Sequence, residues 1–145
     1  MDKIRLTSVK NLSADWIRLV EACEKPDNEF LGVQASTYFA LDERGEIVGC
    51  VELRHALNES LATIGGHIGY SVCPKERKKG YATRMLTLIL QEAREFGIDK
   101  VLLTCDADNI ASMKTIVKNG GVPEKGSPYT YQDEEYYKYW ITIEK

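Results

Sequence analysis

Residues 66–90 read GHIGYSVCPKERKKGYATRMLTLIL, and the fold turns on this stretch because its pattern changes period halfway along. His67 to Val72 has the character of a strand, and Pro74, which cannot donate to a ladder, ends it. From Ala82 the apolar residues fall at 82, 85, 86, 89, 90 and 93, the stripe of an amphipathic helix, with Gly97 as its stop. Between the two lie Lys75, Arg77, Lys78, Lys79 and Gly80. A strand that enters a helix through a short turn leaves the first helical amides without partners, a ready site for a phosphate. Gly80 lets a backbone approach closely and Ala82 keeps the first turn small, so RKKGYA suits a pyrophosphate. The GxxxxGK[ST] pattern of nucleotide hydrolases is absent. Composition alone equally fits a solvated basic turn that Gly80 merely permits.

Working upstream, STYFALDERGEIVGCVELRH (36–55) predicts two strands around a tight turn at Glu43 to Glu46, with Gly45 supplying the positive φ. ALNESLATIGG (56–66) reads as a loop leading to the third strand of a meander. Ile4 to Leu6 predicts a short strand, and Ala14 to Glu24 a helix. Downstream, KVLLTC (100–105) suits a buried strand, and Ile110 to Lys118 a helix capped by Asp108 or Asn109 and closed by Asn119, Gly120 and Gly121. The aromatic tail gives two strands about Gln132 to Glu135.

The 145 residues match one domain, expected to span 1–145. A net charge of −3 gives no general pull toward nucleic acid or anionic lipid, so the basic cluster matters by location. No apolar run approaches membrane-spanning length and the N-terminus lacks a secretory core, so no membrane partner is expected. Cys23, Cys50, Cys73 and Cys105 form no CxxC pair. They read as four semi-buried thiols of a cytoplasmic protein, without the ligand spacing that would make a metal site with His55 or His67.

VCPKERKKGYATRML resembles the Q/R-x-x-G-x-G/A signature of the GCN5-related N-acetyltransferases (GNAT), and DNIASMKTIVKNGG is similar to a second motif of that family. With the meander in register, the resemblance covers roughly residues 34–145 and is strongest to bacterial-type members. It implies an α/β GNAT fold, a mixed, mostly antiparallel sheet flanked by helices. It also implies acetyl-CoA as co-substrate. The backbone at Val72 and Cys73 would pair with the pantetheine arm. The amides of Lys78, Lys79, Gly80, Tyr81, Ala82, Thr83 and Arg84 would cradle the pyrophosphate, with Arg77 opening the motif and its charged side chains secondary. Asn109 matches the motif asparagine near the arm, and Ser112 the small residue that follows.

The same resemblance places His67 where many members carry a basic glutamate, with Glu52 and His55 on the neighbouring strand as alternatives. Members that protonate the leaving thiolate with a tyrosine carry it where this chain has Ile116, leaving water or another tyrosine, Tyr70 or Tyr129, as substitutes. The expected activity is N-acetyl transfer to a primary amine of a small molecule or peptide, with the acidic run Asp133 to Glu135 favouring a cationic acceptor and a homodimer left open. The rivals are a non-catalytic acyl-CoA-binding or regulatory module and a nucleotide- or RNA-binding domain. The acidic total and scattered aromatics disfavour the last.

Overall fold

The structure is a computed structural model and describes residues 4–8 and 33–143; the helix expected over 14–24 lies outside them. Strands β1 (Arg5–Ser8), β2 (Ala35–Leu41), β3 (Ile47–Arg54) and β4 (Ile68–Val72) form one antiparallel sheet in that order. The β2–β3 turn is held by Asp42, whose Oδ1 accepts from the amides of Arg44 (2.9 Å) and Glu46 (3.0 Å). Register pairs Val51 with Tyr70 and Glu52 with Gly69.

A second sheet contains β5 (Lys100–Asp106), β6 (Val122–Pro123), β7 (Tyr129–Tyr131) and β8 (Glu134–Thr142), with β8 antiparallel to the other three. Two edge strands, β4 and β5, therefore face each other where the sheets meet. Helix α1 (Glu59–Thr63) interrupts the segment expected to be a loop, capped by Asn58, whose side chain accepts from the Leu61 amide. Helices α2 (Tyr81–Glu95) and α3 (Ile110–Lys118) follow β4 and β5.

The buried stripe of α2, namely Tyr81, Met85, Leu86, Ile89 and Ala93, packs with Val51, Leu53, Ile68 and Val72 of the first sheet and with Val101, Leu103 and Ile141 of the second. One core thus spans both sheets. At about 1.5–3 kcal/mol for each large apolar side chain buried, this helix fixes the two sheets relative to one another. Among the described residues no helix is long and apolar enough to cross a membrane. The expectation of four thiols is corrected at Cys73, which is disulfide-bonded, while Cys50 and Cys105 are buried thiols. Pairing depends on where the fold brings sulfurs together, which spacing along the chain does not reveal.

Candidate active site

β4 ends at Val72, and Pro74–Glu76 form a single 3-10 turn. The carbonyl of Val72 accepts from Arg77 Nε at 3.3 Å, while the amide of Cys73 donates to Val48 O at 2.8 Å, so that amide is committed to the sheet. Lys78 (φ +68°) and Gly80 (φ +82°) both take the left-handed conformation, which curls the chain into the first turn of α2. Gly80 is the N-cap and makes no side-chain cap bond. Arg84 N–H is the first to reach back along the helix, to Gly80 O at 3.2 Å, so the amides of Ala82 and Thr83 have no intrahelical acceptor. Arg77, Lys78, Lys79 and Gly80 are exposed, and Lys79 Nζ is 2.8 Å from Glu76. The Tyr81 ring is in the core, so only its backbone can face this cradle.

The two sheets touch at the start of β4. His67 N–H donates to Leu102 O (2.7 Å), Leu102 N–H donates to His67 Nδ1 (2.9 Å), and Gly65 N–H donates to Thr104 Oγ1 (3.0 Å). Gly66 bridges to Leu103 at φ +67°, where a Cβ would run into the Leu102 carbonyl. Beyond this clasp no ladder joins β4 to β5 among the described residues, which leaves the edge of β4 open there. Across the opening Tyr70 OH and Ser112 Oγ meet at 2.8 Å, linking β4 to α3. Asn109 caps α3 by accepting from the Ser112 amide at 3.1 Å, as expected.

Two of the three sequence candidates for the base, His67 and Glu52, are buried and bonded. His67 accepts at Nδ1, which places the proton of the neutral ring on Nε2, and burial with the nearby Arg54 charge pushes its pKa down to about 4. Glu52, 2% exposed, pairs through Oε1 with Arg54 Nε at 2.9 Å, and its Oε2 accepts from Thr37 Oγ1 at 3.4 Å. Arg54 also donates from Nη1 to the carbonyls of Gly65 (3.1 Å) and Gly66 (3.4 Å). His55 instead bonds Ser36 Oγ at 2.8 Å and stacks on Phe96, away from this cluster. Ile116 is fully buried in the core, and Tyr129 OH is 2.6 Å from Glu124 Oε2 in the second sheet's periphery. Sequence reasoning missed Arg54, because a lone arginine in a strand pattern carries no sign of the three acceptors it meets in the fold.

The chain matches the model of the acetyltransferase (GNAT) family over residues 7–120. No curated protein matches its sequence. In fold it is similar to the spermidine/spermine N-acetyltransferase SpeG of Vibrio cholerae, at 13% identity, TM-score 0.72, 97% of this chain and 93% of that one. It is also similar to a spermidine N-acetyltransferase from Vibrio cholerae solved in complex with CoA and spermine (14% identity, TM-score 0.71, covering 97% and 95%). A putative phosphinothricin N-acetyltransferase is similar at 15% identity and TM-score 0.68, covering 99% and 100%. The family match covers most of the chain, and the chain therefore belongs to the acetyltransferase (GNAT) family. It is an enzyme of that acyltransferase class, on a fold of antiparallel sheets flanked by helices.

Proposed function

We propose that this enzyme transfers an acetyl group from acetyl-CoA to the primary amine of a cationic acceptor by direct attack, within the one domain. The observation that carries the reading is the pairing of a left-handed Gly80 at a helix start with an open strand edge that begins at a fixed clasp. The cradle formed by the backbone from Lys78 to Thr83, with the Arg84 amide already committed to Gly80 O, offers amides and the positive end of α2 to a pyrophosphate. The open edge of β4 at Val72, bounded by Asn109 and Ser112 of α3, receives an extended amide-bearing arm. Acetyl-CoA supplies the activated thioester.

The chain's own residues then divide the work. Tyr70, its hydroxyl held by Ser112 at the opening, stands where it can hand a proton to the leaving sulfur. Glu52 is our choice for taking the acceptor's proton, relayed by water, because it lies opposite Gly69, which has no side chain to block it. His67 is assigned a positioning role in place of the catalytic one expected, since protonating Nδ1 would break the Leu102 bond. The acceptor's charge is argued from the acidic border. Ala107 N–H donates to Glu135 O, bringing exposed Glu134 and Glu135 beside exposed Asp106 and Asp108, next to Asn109.

Thiol release from acetyl-CoA, measured against spermidine, a neutral amino acid and an acidic peptide, tests this. The cationic amine should give the highest kcat/KM, and its advantage should shrink with added salt. CoA binding without thiol release from any amine would overturn the proposal.

A further inference from the structure

Resting on the acyl-CoA reading, we infer that Asn119 is a positioning residue that sets the pyrophosphate cradle at a fixed distance from the thioester end of the site. Asn119 is the C-cap of α3 and is half-buried. Its Nδ2 donates to Thr83 O at 3.2 Å and to Thr115 O at 3.1 Å, and its Oδ1 accepts from Thr87 Oγ1 at 2.7 Å. Both hydrogens of the amide and its oxygen are therefore engaged, which a carboxylate or an aliphatic side chain cannot reproduce.

The partners give this bonding its meaning. Thr83 lies in the first turn of α2, directly after Gly80, and Thr87 lies one turn further, so Asn119 grips the helix whose start forms the cradle. Thr115 belongs to α3 itself, so the grip is relayed into that helix. At its other end α3 carries Asn109 and Ser112, and Ser112 meets Tyr70 of β4 at the opening. One rigid helix thus touches the cradle's helix at its C-terminus and the arm's wall at its N-terminus. Asn119 is where the first of these contacts is made polar and directional.

A diphosphate held at the cradle and a thioester held at the opening must be spaced correctly at the same time. Loosening Asn119 should therefore penalise a donor that uses both places and spare one that uses only the opening. The two donors are acetyl-CoA and S-acetylpantetheine, which carries the same thioester arm without the nucleotide diphosphate.

In steady-state thiol release, Asn119→Ala should raise KM for acetyl-CoA about tenfold with kcat within about twofold, and should change kcat/KM for S-acetylpantetheine by less than about twofold. Asn119→Asp should be worse than alanine for acetyl-CoA, because it sets carboxylate oxygens against the carbonyls of Thr83 and Thr115. Thr87→Val, which removes only the hydroxyl partner, should shift the acetyl-CoA KM the same way by about threefold, and it decides the question if the Asn119 variants do not fold. An equal loss with both donors, or no loss with either, overturns the inference. A wild-type enzyme that uses both donors equally well would overturn the cradle assignment and this inference with it. A wild-type preference for acetyl-CoA that Asn119→Ala leaves unchanged would overturn the inference alone.

Discussion

The two ends of β4 solve opposite problems. At its start, His67 bonds across to Leu102 of the second sheet while Arg54 ties Glu52 to the Gly65 carbonyl beside that contact, so the side chains richest in acid–base chemistry are gathered and engaged in one buried place. At its end, Gly80 and its neighbours expose main-chain groups that the helix cannot satisfy. The contrast teaches that backbone geometry can offer a ligand site, while a side chain that looks reactive in a sequence, as His67 does, can serve architecture.

That contrast breaks first if the buried ion pair beside the clasp is dispensable. Arg54→Ala leaves the Glu52 carboxylate, 2% exposed, without its guanidinium, and should cost about 3–5 kcal/mol in urea unfolding. A loss under about 1 kcal/mol would mean the pair contributes little.

The next effect is set by pH. The folded His67 ring takes a proton near pH 4 and the unfolded ring near 6.5, so between these values the unfolded chain binds the extra proton. The contribution is complete above pH 6.5, falls as the pH drops toward 4, and is constant below; it amounts to no more than about 3 kcal/mol. His67→Gln, whose side-chain oxygen can still accept from Leu102, should flatten that part of the stability profile and keep turnover within about threefold at neutral pH. A collapse of turnover with intact CoA binding would restore His67 as the base.

Smaller again is the chemical step. Glu52→Gln should slow thiol release about tenfold while CoA affinity holds, which separates binding from proton transfer. Equal turnover would leave deprotonation to solvent.

Much of this architecture was legible because it is local. The stripe from Ala82 to Ala93 predicted α2 and Pro74 the end of β4, and the turn at Gly45 fell where the sequence put it, whereas the turn expected over Gln132 to Glu135 is confined to Gln132 and Asp133 because Glu134 and Glu135 already pair with β7. Asn109 is the cap, one of the two positions, with Asp108, that the sequence offered. What could not be read is what depends on distant partners. α1 is five residues long, too short to nucleate alone, and is held by the fully buried Leu61. β6 is a two-residue strand that exists only through its pairing with β8. The fate of His67 was hidden because its ring partner lies 35 residues away, on a strand whose approach no local pattern encodes. The separation of the strands into two sheets was hidden for the same reason.

The central claim is that main-chain geometry, not basic charge, holds the cofactor, and calorimetric titration of CoA into two variants tests it most directly. Lys79 is paired with Glu76 and about half exposed, so Lys79→Ala should weaken CoA binding by less than about threefold. Gly80→Val forces a branched side chain into a left-handed turn at φ +82° and should weaken binding at least about a hundredfold, with the far-UV circular dichroism of a folded protein retained. Unchanged affinity in Gly80→Val, or a larger loss in Lys79→Ala than in Gly80→Val, would contradict the account.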